Sequence, residues 1–200
     1  VQVGVGLRQG CKIAPLLWLA YMNKLLWLLT PLTGEAWIRQ CLTLYADDLH
    51  VGCQFLTVGE LDHHLQCMGH LLDCIERLQP QISLQKSYVI FSHTGSNVRH
   101  ALKGRMCYLQ NQAHLLLPRR TGEATALPLK TMGRYLGVIV SYHAFEQQTW
   151  LHRKKTAWIA YARLKRWLRH RQIRQSHRMY LWHTCVHTIL VYGIFGTGVT

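Results

Sequence analysis

Tyr45-Ala46-Asp47-Asp48 sets two carboxylates side by side in a chain that holds only 9 acidic residues against 23 basic ones. They follow a β-type run, Cys41-Leu42-Thr43-Leu44-Tyr45-Ala46, and precede a second apolar run, Leu49-His50-Val51-Gly52-Cys53. This pattern predicts a tight hairpin over about residues 38–55 with both acids at its tip. Adjacent like charges repel, and Asp-Asp is a poor choice for a tight turn. A divalent cation would remove that penalty, which makes the pair a candidate metal-binding carboxylate site. Taken alone, Asp-Asp reads first as an ordinary polar turn, and the motifs in the rest of the chain shift the reading to the metal site.

The elements that must position this pair follow from periodicity. The apolar stretch from Ile13 to Leu32 predicts a buried or half-buried helix from about Pro15 to Leu29, with proline in its first turn. Asn23 and Lys24 interrupt it at mid-length, which argues against a membrane span. Thr57 and Glu60 form a capping box for a helix reaching about Leu78, whose apolar stripe is Leu61, Leu65, Met68, Leu72 and Ile75. On that helix His63 and Cys67, and His70 and Cys74, are four apart. This is a zinc-like spacing, but it is expected on the polar side and does not make one closed site. Ile82 to Ser92 alternates as a strand, 93–97 reads as a turn, Met106 to Leu117 is β-like, and Pro118 to Ala126 is polar loop. Tyr135 to Val140 is expected as a strand, and the chain turns helical from about Phe145.

The order predicts an α+β domain over residues 1–144, an antiparallel sheet with helices on one face, followed by a helical basic region over 145–200. Net charge is +14 with a pI near 9.8, which points to a polyanionic partner. Ten Lys and Arg lie from Arg153 to Arg178, and no acid follows Glu146. Arg163, Lys165, Arg166 and Arg169 are the expected phosphate contacts, the other reading being a solvated basic face. The interleaved Trp158, Tyr161, Trp167 and Trp182 are expected in the helical core. Seven cysteines without a CxxC pair read as reduced thiols, hence a nuclear or cytoplasmic, reducing setting.

Four motifs stand in order: Gly6-Leu7-Arg8-Gln9-Gly10 with Ala14-Pro15, Tyr45-Ala46-Asp47-Asp48, Leu84-Gln85-Lys86-Ser87, and Tyr135-Leu136-Gly137. This set, with Tyr180 and Val191-Tyr192-Gly193 near the end, resembles the reverse transcriptases of LINE-type (non-LTR) retrotransposons. The resemblance implies an RNA-directed DNA polymerase using two Mg²⁺ ions, an RNA template, a DNA primer and dNTPs. It implies that Asp47 is the first metal ligand and Asp48 the second, with Tyr45 and Ala46 beside the nucleotide. Gln9 and Gly10 would lie near the template and nascent pair, although by themselves they fit a plain turn. Lys86 would stand on a strand near the leaving pyrophosphate as a proton donor, or is a solvated strand lysine. Tyr135, Leu136 and Gly137 would support the primer, a role compatible with core packing.

The family's other catalytic aspartate belongs to an earlier palm strand. Val1-Gln2-Val3 reads as the middle of a strand, so the chain is expected to hold the rear of a palm plus a thumb, with the remainder of the polyprotein as partner. Asp62 and Asp73 fall on the downstream helix and do not replace that strand. Three positions depart from the family pattern: Cys11-Lys12 where an acid is common, Ala14 for Ser, and Ser83 for Asn. An inactive, degenerate copy that binds nucleic acid through its basic tail is the alternative reading.

Overall fold

The computed structural model describes residues 11–45, 48–78, 82–94 and 96–192. The fold is α+β and divides into two compact units, the first of residues 1–89 and 93–129, the second of 90–92 and 130–200.

In the first unit, α1 (Ala14–Thr33) has Pro15 in its first turn and buries Met22, Leu25, Leu29 and Thr33, one stripe at helical spacing. Leu16, Leu19 and Trp27 stay exposed on the rest of its surface. The helix runs past the expected stop at Leu29 and carries Pro31 within it. Pro31 has no N–H to donate, so the helix lacks one main-chain bond there. The hydroxyls of Thr30 and Thr33 donate to the carbonyls of Leu26 and Leu29 in the same stretch. Gly34, at φ +81°, ends the helix and donates to Thr30 O at 2.9 Å.

Ile38 to Cys41, expected in the hairpin, belong to a short helix, α2 (Glu35–Cys41). Trp37 and Cys41, one helical turn apart, are the buried residues of α2 and anchor it in the core. The hairpin follows as β1 (Leu42–Tyr45) and β2 (Asp48–Val51).

α3 (Val58–Arg77) begins as its sequence predicts. Glu60 N–H donates to Thr57 Oγ1 at 3.2 Å, and the Glu60 carboxylate accepts from the N–H groups of Leu56 and Thr57. Those two backbone donors hold the Glu60 carboxyl below the usual carboxylate range. The helix is buried on more than one side. Besides Leu61, Leu65 and Ile75 it buries Cys67, Leu71 and Cys74. Cys67 and Cys74 therefore lie in the core, not on a polar side, because α1 and β5 both pack on this helix. At Gly69 the Pro118 carbonyl oxygen would stand 1.8 Å from an added Cβ, so only glycine admits this approach.

The stretch 82–92 is mostly irregular. Ser83 to Ser87 form a turn, and only β3 (Val89–Ile90) is strand. Alternation there reflects partial burial without a long ladder partner. The turn expected at 93–97 gives way at Ser96 to α4 (Ser96–Lys103). β4 (Met106–Leu109) and β5 (Gln112–Leu117) pair around Gln110 and Asn111, at φ 51° and 63°, the mirror-image turn that suits strand twist. β6 (Thr125–Lys130), which begins inside the polar loop expected over Pro118 to Ala126 and contains Pro128, pairs antiparallel with β5. The sheet order is β3-β6-β5-β4. The β5–β6 loop is tied to α3 by Arg119, whose buried side chain reaches Asp73 at 2.6 Å, Glu76 at 2.6 Å and Thr125 at 2.8 Å.

In the second unit, β7 (Met132–Tyr135) and β8 (Val138–Ser141) form a hairpin. α5 (Phe145–Leu168) rests on β8, where the buried Thr149 hydroxyl accepts from Ile139 N at 3.2 Å. α6 (Gln175–Trp182) continues through a π-helical turn, His183–His187, into α7 (Thr188–Val191). Among the described residues no helix is long and apolar enough to cross a membrane.

Candidate catalytic hairpin and nucleic-acid interface

β1 and β2 are antiparallel with Leu42 opposite Val51, Thr43 opposite His50, Leu44 opposite Leu49 and Tyr45 opposite Asp48. Cross-strand partners share a face, so alternate pairs divide the hairpin. Leu42, Leu44 and Val51 pack on the core cluster of α1, α2 and α3. Tyr45 and Asp48 belong to the opposite face and are both exposed. The base is closed by Gly52 N–H donating to Cys41 O at 2.8 Å. Apolar burial thus fixes register, and register decides that the Asp48 carboxylate meets solvent. Asp47 and Ala46, and likewise Gln9 and Gly10, lie outside the described residues.

The donor chemistry at Asp48 fits a hard divalent cation. Its carboxylate is exposed and takes part in none of the ion pairs among the described residues. Asp62 and Asp73 are engaged elsewhere. Asp62 accepts from Arg105 at 2.5 and 2.7 Å, and Asp73 from Arg119. Burial tends to lower the Arg119 pKa, but its bonds to Glu76 and Asp73 outweigh this and raise it.

Lys86 is exposed within the Ser83–Ser87 turn rather than on the expected strand. The turn is closed by Ser87, whose N–H and hydroxyl both donate to Ser83 O at 3.1 Å. Tyr135-Leu136-Gly137 does not open a strand. Tyr135 ends β7, and Leu136 and Gly137, at φ 46° and 81°, form the hairpin tip. Leucine is rare in left-handed backbone, which hid this turn. The Gly137 carbonyl accepts from the Arg153 guanidinium, which also lies 4.5 Å from the Tyr192 ring. Burial, with Arg134 nearby, lowers the Arg153 pKa.

Arg163, Lys165 and Arg166 are exposed on α5, and Arg169 caps its end, also exposed. Ala157 is buried while Tyr161, Leu164 and Leu168 are half-buried on the apolar side. The aromatic expectation needs correction: Trp158 and Trp167 are 69% and 54% exposed, on the basic surface. A helix carrying this many cations has only a narrow apolar stripe, and the indoles fall outside it.

The sequence-spaced histidine and cysteine pairs do not assemble. His63 Nε2 lies 3.6 Å from Cys67 Sγ, but the described metal-ligand grouping is a different one, Cys41, Cys53 and His64. These three are distant in sequence and fit no spacing motif. The clue was that Cys41 and Cys53 bracket the hairpin. Burial, then the neighbouring Cys41, pushes the Cys53 thiol up to about 12.

Comparison with protein families matches residues 2–140 to the reverse transcriptase (RNA-dependent DNA polymerase) family. The match spans well over half of the 200 residues, and the chain belongs to that family. No curated protein and no solved structure gave a match.

Proposed function

We propose that this chain is part of a LINE-type retrotransposon polymerase, comprising the carboxylate hairpin of the palm and a basic, helical thumb-like region. The carrying observation is the Tyr45–Asp48 hairpin, with Asp48 exposed, inside the stretch matched to reverse transcriptases. Asp47 and Asp48 would hold Mg²⁺, which when bound supplies charge neutralisation for nucleotidyl transfer from a dNTP to a primer 3′-hydroxyl. Tyr45, paired with Asp48, offers an aromatic surface beside the carboxylates for the sugar or base. Gln9 and Gly10 would serve the template side, and Lys86 would protonate or neutralise the leaving pyrophosphate from its exposed turn. The exposed Leu136 at the β7–β8 tip, with Tyr135 and Gly137, would bear on the primer. Arg163, Lys165, Arg166 and Arg169 would follow duplex phosphates. The protein would work in a reducing nuclear or cytoplasmic setting, together with the rest of its polyprotein.

A second reading, nucleic-acid binding without catalysis, is favoured by one observation. The other two aspartates, Asp62 and Asp73, are held in ion pairs with Arg105 and Arg119. Primer extension on an RNA template separates the two. The 200-residue chain alone, with Mg²⁺ and dNTPs, is expected to extend nothing. Joined behind the fingers and first palm segment of a reverse transcriptase, it is expected to extend the primer. Failure of the joined protein, with binding intact, would favour the second reading.

A further inference from the structure

The base of the β1–β2 hairpin gathers soft ligand chemistry that the carboxylate site does not use. Cys41 ends α2, Cys53 follows β2, and His64 stands on α3. One ligand atom from each, two Sγ and an imidazole nitrogen, lie within 4.8 Å of one another. Cys41 is buried and the other two are half-buried.

The surroundings orient the imidazole. His64 Nε2 lies 3.0 Å from the Gln54 carbonyl, which can only accept, so Nε2 carries the proton. Nδ1 is then the lone-pair nitrogen, and it accepts from Trp37 Nε1–H at 3.1 Å. A ring N–H donated to a backbone carbonyl is the usual arrangement behind a metal-binding histidine. The Trp37 N–H also bonds the Cys53 sulfur, so it can pass to that sulfur when Nδ1 takes an ion. Cys67, one turn along α3, is buried in the same core cluster as Cys41, with its Sγ 3.6 Å from His63 Nε2.

We infer that Cys41, Cys53 and His64 form a zinc site that clamps the base of the hairpin to α3, leaving the fourth position for water. Two sulfurs and one imidazole suit Zn²⁺ and discriminate against Mg²⁺, which prefers oxygen. On binding, the two thiols release their protons to solvent and the neutral imidazole keeps its Nε2 proton. The ion would be structural. It would hold both ends of the hairpin whose tip carries the carboxylates, while lying apart from the Mg²⁺ chemistry.

The test is metal binding by the purified reduced chain. Zn²⁺ is titrated against a chromophoric chelator, and Co²⁺ is substituted for electronic spectroscopy. The site predicts one tightly held equivalent and a tetrahedral cobalt spectrum with sulfur-to-metal charge transfer. Cys53→Ser and His64→Gln should each weaken zinc by roughly tenfold or more. His63→Gln, four residues before Cys67, should leave affinity unchanged. Absence of a tightly held equivalent, or unaltered affinity in both Cys53→Ser and His64→Gln, would overturn the inference. So would a wild-type cobalt spectrum without sulfur charge transfer, a result that does not depend on the variants folding.

Discussion

The guanidinium of Arg153 donates to the carbonyl of Gly137, tying the first half of α5 to the tip of the β7–β8 hairpin. Arg153 is buried and among the described residues has no carboxylate partner. A peptide carbonyl and the Tyr192 ring take that place. Three sequence-spaced features, the Tyr-Leu-Gly tip, the basic helix and the closing tyrosine, therefore converge on one side chain.

Gly137→Ala tests that convergence. Its φ of +81° is costly for alanine, and the new Cβ would stand 2.7 Å from the Arg153 guanidinium and 3.1 Å from the Tyr192 ring. A loss of about 1–3 kcal/mol is expected in urea unfolding. Leu136→Gly relieves left-handed backbone and should leave stability unchanged or raised. Equal losses in the two variants would contradict the turn geometry.

Gly69→Ala tests the packing of α3 on the sheet. In an exposed helix this change would stabilise by about 0.5–1 kcal/mol. Here the Cβ meets the Pro118 carbonyl, backbone that cannot rotate away. The expected sign is reversed, with a loss of about 3 kcal/mol or more and a lower urea midpoint. A gain in stability would show that the β5–β6 loop does not lie against Gly69.

The basic surface of α5 predicts phosphate binding with little sequence preference. Replacing Arg163, Lys165, Arg166 and Arg169 with Gln should weaken binding similarly for unrelated RNAs and duplexes. Each lost phosphate contact should flatten the log–log salt dependence by about 0.7–0.9. Trp158→Ala adds a second arm. A stacked base would make it costly by about 1–3 kcal/mol with the salt slope unchanged. An unaltered slope in the four-site variant would leave these side chains as solvated surface only.

Local signals were the legible ones. Thr57 and Glu60 announced α3 because a capping box is complete within four residues. The alternation around Leu42, Leu44 and Val51 announced the carboxylate hairpin because its core face is set by a period of two. What depended on distant partners was hidden. Cys67 and Cys74 read as polar-side residues until α1 and the sheet were both packed on α3. Tyr135 read as a strand opening because a leucine at positive φ is not anticipated. The Cys41–Cys53–His64 cluster could not be read, since an imidazole from another element completes it. Lys86 was expected on a strand from alternation and from the family resemblance, although hydrogen bonds to Ser83 O wrap that stretch into a turn.

The central claim is that the Asp47–Asp48 hairpin is the metal-binding centre of an RNA-directed DNA polymerase. Its most direct test is single-turnover primer extension on an RNA template with Mg²⁺. The protein compared is the chain joined to the upstream part of a reverse transcriptase, with and without Asp47→Ala. Losing a ligand of a two-metal site should cost several kcal/mol of transition-state stabilisation, a rate loss of roughly a hundredfold or more, with primer–template affinity little changed. Extension by Asp47→Ala at a rate near that of the parent protein would contradict the account.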